Sequence, residues 1–391
     1  METVYFDNNA TTAVAPEVFE AMTPFLTRLY GNPSSIHAFG GQVMKHIDQA
    51  RENVATLLGA LPSEVIFTSC GTESDNSALR SAMFTSQGRN RLVISQVEHP
   101  AILNVAKELE RGGAQVETIP VDAHGRLDMQ RAEELIDGQT ALVSVMWANN
   151  ETGNIHPVRE LAELAHRQGA LFHTDAVQAV GKIPMDLSEG WVDFLSLSGH
   201  KLHAPKGVGA LYVRRGVRFH PFVLGGHQEG GRRAGTENVA SVVGLGKAAE
   251  LAAGNIEREN TAVRALRDRL EQGILSAISN VRVNGDVEHR LPNTANVSFE
   301  YIEGESILML LDRDGICASS GSACTTGSLE PSHVLRAMGL PYTAAHGAIR
   351  FSLSRYNTRE EVDFVLSKLP AVIARLREIS PYWESMHGQR Q

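Results

Sequence analysis

Short apolar runs alternate with segments of helical periodicity through the first half of this 391-residue chain. Runs at 65–67, 92–94, 116–119 and 141–146 read as strands, and 171–172 leads a strand that ends in His173, Thr174 and Asp175. Helical patterns fill the gaps at 16–29, 41–58, 73–84, 101–109, from 128 onward and at 158–166. In the fourth of these, Ile102, Val105, Ala106 and Leu109 recur on one face. Strands that alternate with helices in this way pair in parallel and are covered on both faces, so the chain is read as α/β. An open sheet of that kind binds its ligands at the carboxyl ends of its strands.

The pattern changes after Asn238. Residues 238–278 are nearly all helix-forming, and beyond them strands at 281–283, 295–299 and 349–353 mix with shorter helices and a last helix from 359 to about 379. This predicts a large domain over 14–258 and a smaller α+β domain over 259–391, with residues 1–13 packed onto the smaller one. The length is ample for two domains.

Charge narrows the class of partner. The net charge is −9 and no long run of Lys or Arg occurs, which argues against nucleic acid and anionic membrane. No stretch is apolar enough to span a bilayer, and Met1–Tyr5 lacks the basic-then-apolar pattern of a signal peptide. The three cysteines, Cys70, Cys317 and Cys324, are too few and odd in number for a disulfide framework. The expected setting is the reducing cytoplasm, where a thiol can do chemistry.

The strand ends deliver a coherent set of groups. The strand at 65–67 leads to Cys70, Gly71 and Thr72 at the start of a helix, a place that favours an anion. The strand at 92–94 leads to Glu98 and His99, that at 141–146 to Asn149 and Asn150, and that at 171–175 to Asp175 and Gln178. A run at 191–195 leads to Ser198, His200 and Lys201, followed by a Gly- and Pro-punctuated loop and a strand at 210–213. Desolvation at such a place eases loss of a lysine's proton, making Lys201 a candidate Schiff-base lysine. Each group alone has a plainer use, as a cap, a core histidine or a solvated lysine. Together they match pyridoxal 5'-phosphate: a Schiff-base lysine, a carboxylate for the ring nitrogen, a stacking imidazole and a phosphate cradle. His200 and His203 lack a second ligand pair, so no metal site is expected.

Eight segments, from Phe6–Thr12 through Glu98–Pro100 and Ser198–Lys201 to Arg233–Asn238, resemble in order those of the class V aminotransferase group. The resemblance is closer to cysteine desulfurases of the NifS/IscS type. Trp147–Asn150, Arg232–Asn238 and the ending Ser380–Trp383 are most similar to the nitrogen-fixation branch. The resemblance implies a fold-type I homodimer with a mainly parallel, seven-stranded large-domain sheet. It implies that Lys201 holds the cofactor, His99 stacks on the ring and moves protons, and Asp175 and Gln178 pair with the ring nitrogen and phenolate oxygen. Asn150 would lie beside ring and substrate. Gly71, Thr72, Ser198 and His200 would bind the phosphate, and Thr236 would reach it from the other subunit.

Two further residues complete the expectation. Arg350 lies in an apolar strand pattern, and its family counterpart grips the substrate carboxylate, a task suited to a planar guanidinium. Cys324 lies among small polar residues without regular periodicity, which reads as a mobile loop. In the family that loop position carries a persulfide. Cys317 reads as a buried strand residue and Cys70 as a packing residue. The implied reaction takes sulfur from L-cysteine, leaves L-alanine, and passes the sulfur to an iron-sulfur cluster scaffold protein. A selenocysteine lyase or another class V enzyme, such as an aminotransferase, is the alternative; an aminotransferase would not need the Cys324 loop.

Overall fold

The structure, a computed structural model, describes residues 3–86, 88–320, 331–381 and 383. Cys324 falls outside them. In chain order the strands are β1 (Val4–Tyr5), β2 (Val65–Thr68), β3 (Arg91–Ser95), β4 (Gln115–Ile119), β5 (Thr140–Ser144), β6 (Leu171–Asp175), β7 (Phe194–Ser198) and β8 (Gly209–Val213). They continue with β9 (Val281–Val283), β10 (Thr294–Phe299), β11 (Ile316–Cys317), β12 (Ser319–Ser320) and β13 (Ala348–Ser352).

Seven of these form one sheet in the order β2-β8-β7-β6-β5-β3-β4. Only β8 runs against its neighbours. The pleat explains why the central strands carry apolar residues at successive positions. Val93, Val143, Phe172, Leu195 and Tyr212 enter the core on one face, while Leu92, Ile94, Leu142, Phe194 and Leu211 enter the core on the other. Helices cover both faces of the central strands, so apolar residues are needed on each. Each such side chain, fully buried, contributes about 1.5–3 kcal/mol of transfer free energy.

A second, four-stranded antiparallel sheet has the order β12-β13-β10-β9. Its core joins Val297, Phe299, Ile349 and Phe351 to Leu270, Ile274, Val365 and Leu369 of helices Arg264–Ala277 and Arg359–Glu378. Val4 and Phe6 belong to this core, and β1 pairs in parallel with β11. The chain's first residues therefore pack with its last third. Immediately afterwards Thr12 crosses back, donating to the carbonyl of His200 from its N–H (3.0 Å) and its hydroxyl (2.9 Å).

The structure departs from the sequence expectation in three places. The helical stretch after Asn238 is broken: Val239–Ala253 closes near Gly254, a short turn Ile256–Arg258 follows, and Glu259–Val263 is π-helical before Arg264–Ala277. Helix-forming composition does not report where an extra residue is inserted into a turn. Ser319 and Ser320, read as loop, form β12 by pairing with Arg350 and Ile349 on the open edge of β13. Cys317 lies in a strand as expected but is only half-buried.

Candidate functional site

Five strands of the large sheet end at one cavity of about 370 Å³. The order β5-β3-β4 reverses the direction in which strands are added, which opens a crevice at the carboxyl ends. Gly71, Thr72, His99, Asn150, Asp175, Gln178, Ser198, His200, Lys201 and Arg350 all line it. Of the described residues given a role by sequence, only Thr236 does not; it is exposed.

The anion end comes first in the chain. Helix Gly71–Thr85 begins at the cavity with Cys70 as its N-cap, and the Cys70 side chain makes no capping bond. The first turn of a helix leaves N–H groups without intrahelical partners, and the macrodipole favours negative charge there. A Cβ on Gly71 would stand 2.7 Å from Cγ2 of Val177 and 3.5 Å from Cβ of Ser198. Only glycine leaves the space between helix start and β7 open. His200 holds Thr11 through Nδ1 (3.1 Å to Oγ1), and burial, with Lys201 beside it, pushes its pKa down to about 4. It is a neutral imidazole at neutral pH.

Asp175 ends β6, and its Oδ1 accepts from the N–H of Val177 at 2.9 Å. Burial raises its pKa, and the neighbouring His99 and Lys201 pull it back. A cation placed against this carboxyl would favour its ionised form. His99 caps helix Pro100–Arg111, and its Nδ1 accepts from the N–H of Ala101 at 3.1 Å. That bond leaves Nε2 to carry the hydrogen of the neutral ring. Burial lowers the His99 pKa, partly offset by Asp175.

Lys201 closes the single turn Gly199–Lys201 that follows β7. Its Nζ donates to the carbonyls of Asn9 and of Ala10, the latter at 2.7 Å. Arg350 is almost fully buried on β13, with Nη1 donating to the Asn150 carbonyl (2.9 Å) and Nη2 to Oδ1 of Asp7 (2.8 Å). Its Nε is buried and makes no hydrogen bond.

Sequence reading missed several participants. Asn9 and Ala10 also line the cavity, and the Asn9 carbonyl accepts from Lys201 and from Gln178. The polar run Asp7-Asn8-Asn9 was visible, but its partner lay nearly two hundred residues away. Asp75 lines the cavity one helical turn beyond Gly71, fully buried, with an Oδ1 that makes no hydrogen bond. Burial and the charge of Asp175 raise its pKa well above the carboxylate range. The spacing from Gly71 was the available signal. Cys70, read as a packing residue, lines the cavity as well.

Glu98, next to His99, is buried without a basic partner. Its Oε1 accepts from the Met146 N–H (2.9 Å) and the Ser95 hydroxyl, its Oε2 has no partner, and burial pushes its pKa up to about 8. It is protonated in the folded chain near neutrality and ionised in the unfolded chain. A raised folded-state pKa contributes stability that is present below the unfolded value and lost as pH rises to about 8. Glu98→Gln mimics the protonated form. The wild type is therefore expected to lose stability relative to Glu98→Gln between pH 5 and pH 8, by up to about 1.4 kcal/mol per pH unit. Urea midpoints of both proteins across that range test it; a constant difference would show that Glu98 does not hold a proton.

A doubly covered parallel sheet, a lysine just past one strand and a buried aspartate at the end of the next define the fold-type I architecture of pyridoxal-phosphate-dependent enzymes. The chain belongs to the class V aminotransferase family, whose profile matches residues 4–365, and within it to the cysteine desulfurases. It is 62% identical over 386 residues to the cysteine desulfurase of Gluconacetobacter diazotrophicus, covering 98% of this chain and 96% of that one. To the cysteine desulfurase NifS of Azotobacter vinelandii it is 58% identical over 384 residues, covering 98% and 96%. A solved NifS-like protein superposes with a TM-score of 0.90 at 42% identity, covering 96% of this chain and all of that one.

Proposed function

We propose that the chain binds pyridoxal 5'-phosphate at this cavity and removes sulfur from L-cysteine, giving L-alanine and a persulfide on Cys324. The observation that carries the reading is the convergence of Lys201, Asp175, His99 and the Gly71 helix start on one cavity. The donor set fits the cofactor end to end. The helix start with Thr72, Ser198 and His200 takes the phosphate, Asp175 the ring nitrogen, Gln178 the ring oxygen and Lys201 the aldehyde carbon. When bound, the cofactor supplies a ring that draws negative charge from the substrate α-carbon.

The chain's own residues do the rest. Lys201, once released, and His99 move protons at the α-carbon and next to the ring. Arg350 grips the substrate carboxylate and Asn150 lies beside the ring and the substrate. The Cys324 thiolate attacks the substrate sulfur. A sulfur–sulfur bond forms, the carbon–sulfur bond breaks with its electron pair left on the carbon side, and that carbon takes a proton to yield L-alanine.

Arg350 carries a quantitative expectation. A charge-assisted hydrogen bond is worth about 1.5–3 kcal/mol. Arg350→Ala should raise the KM for L-cysteine about 10- to 150-fold, with cofactor content much less affected. A KM within about twofold of wild type would remove Arg350 from substrate binding. Asp7 occupies Nη2 and the Asn150 carbonyl Nη1, so a substrate carboxylate would displace one of these partners.

The active unit is proposed to be a homodimer, in which Thr236 reaches the partner's phosphate. The glycine-rich segment before Thr236, residues 225–233, has little apolar content with which to pack on its own subunit. Instead Glu229 forms a two-pronged pair with Arg51 (2.6 and 2.7 Å) and accepts from the N–H of Phe67, while Arg233 pairs with Glu73. These charges fix the base of the segment and leave Thr236 exposed. Sedimentation of the cofactor-loaded protein tests the dimer. We place the two domains at 14–258 and at 259–391 with 1–13, following the two sheets. An iron-sulfur cluster scaffold protein, in the cytoplasm and in service of nitrogenase maturation, is the proposed sulfur acceptor. The likeness to NifS supports that last step. Among the described residues no helix is long and apolar enough to cross a membrane. Adding pyridoxal 5'-phosphate and then L-cysteine with a reductant, while measuring alanine and sulfide, tests the whole reading.

A further inference from the structure

We propose that Lys182 is a positioning residue that fixes the carboxamide of Gln178 with its NH2 group, and not its oxygen, toward the cofactor cavity. The inference rests on the function proposed above, because it concerns what Gln178 presents to a bound ring oxygen.

Lys182 is a buried cation whose two side-chain hydrogen bonds both go to Gln178. Only 7% of its surface is exposed, and its Nζ donates to the Gln178 carbonyl (3.1 Å) and to Gln178 Oε1 (3.4 Å). At the other end of the same amide, Nε2 donates to the carbonyl of Asn9 at 3.0 Å. An ammonium has donors and no acceptor, and a carbonyl has an acceptor and no donor. The amide therefore fits between them in one orientation only. The flipped amide would set NH2 against ammonium and oxygen against oxygen. With one N–H spent on Asn9, the second remains for the cavity that Gln178 lines.

The local fold makes the pairing. After β6 the chain turns helically, with the N–H groups of Ala179 and Val180 bonded to Ala176 and that of Lys182 to Ala179. Gly181 then takes a left-handed φ of 74°, which ends the turn and leaves Lys182 against Gln178. Glu259, the first residue of the π-helical turn, sustains the charge on Lys182, and Asn260 Nδ2 donates to the Lys182 carbonyl at 2.8 Å. The charged and titratable groups around Lys182 are Glu259, Arg355, His203 and Lys201, which share with it a cavity of about 20 Å³, and His200, whose pKa the Lys182 charge helps to lower. Burial brings the Lys182 pKa down to about 8, so the ammonium persists at neutral pH. Burying a charge costs free energy that an apolar residue of the same length would avoid. Control of the amide explains why a lysine stands here.

The test uses the full-length, cofactor-loaded protein and its visible absorbance as a function of pH. A donor at the ring oxygen stabilises negative charge there, so losing it makes the chromophore hold its proton to higher pH. Lys182→Met should raise the midpoint of the visible-band titration by about one to two pH units. Gln178→Ala should raise it equally, and the double variant no further than either. Lys182→Arg, which keeps a cationic donor, should return the midpoint toward wild type. If Lys182→Met does not fold, Lys182→Gln takes its place, because its amide can donate or accept and no longer dictates the orientation. An unmoved midpoint in Lys182→Met overturns the proposal. So does an equal shift when Lys182 is replaced in the Gln178→Ala background, since the lysine would then act by charge or folding alone. If wild type itself gives no visible band with pyridoxal 5'-phosphate, the function reading fails; if it does and the cycle is additive, only the role of Lys182 fails.

Discussion

Lys201→Ala is expected to lower kcat for L-cysteine by at least about 10²–10⁴-fold, the range set by a positioned proton-transfer group, with the loss of covalent attachment added to it. The expectation follows from where the residue sits. Ser198 ends a fully buried strand, and one short turn then holds the Lys201 backbone at the cavity. Lys201 Nζ bridges to the carbonyls of Asn9 and Ala10, which belong to the segment that joins the two sheets. The variant should stay folded, because the Asn9 carbonyl keeps its bond from Gln178 and the strand core is untouched. It should also still bind pyridoxal 5'-phosphate reversibly, since the residues proposed to bind its phosphate, at the start of the Gly71 helix, are intact. Borohydride treatment of the loaded wild type should attach the cofactor to the peptide containing Lys201, and no peptide of the variant should carry it. Near-normal turnover in Lys201→Ala, or attachment at another lysine of the wild type, would overturn the assignment.

How much of this could be read without coordinates follows from which forces act locally. The central strands were legible because both faces of the sheet are covered there, so Val93 and its neighbours Leu92 and Ile94 must all be apolar although they point in opposite directions. His99, Asp175 and Lys201 were legible because each follows a strand within a few residues, and parallel strands bring those ends together whatever the intervening helices do. What could not be read depends on distant partners. The contact of Lys201 with Asn9 and Ala10, and the pair Arg350–Asp7, join positions about 190 and 343 residues apart. Nothing in the periodicity of either segment encodes that meeting. Glu259 and Lys182 were hidden for another reason. A π-helical turn sets the direction of Glu259, and helix propensity is blind to a one-residue change of register.

Cys324→Ala is expected to separate binding from sulfur transfer. The visible band of the loaded protein and the affinity for L-cysteine should persist, because the groups proposed for both lie on the sheet ends and β13. Sulfur release should fall by on the order of 10³-fold or more, as expected when a covalent nucleophile is removed. The other two thiols are poor substitutes for identifiable reasons. Cys317 is half-buried in β11, where burial and the charges of Asp312 and Asp7 raise its pKa and so keep it a thiol. Cys70 is the serious competitor because it lines the cavity. Yet its backbone is fixed as the N-cap of helix Gly71–Thr85, and its Cα lies so close to Gly209 that a Cβ there would stand 3.0 Å away. A sulfur held at that point could be attacked or could attack, but it could not be carried out to an acceptor protein. Cys70→Ala should therefore keep sulfur transfer while altering the packing at the cavity floor. Mass spectrometry of protein treated with L-cysteine should find the extra sulfur on the peptide containing Cys324; finding it on Cys70, together with near-normal sulfide release from Cys324→Ala, would reassign the nucleophile.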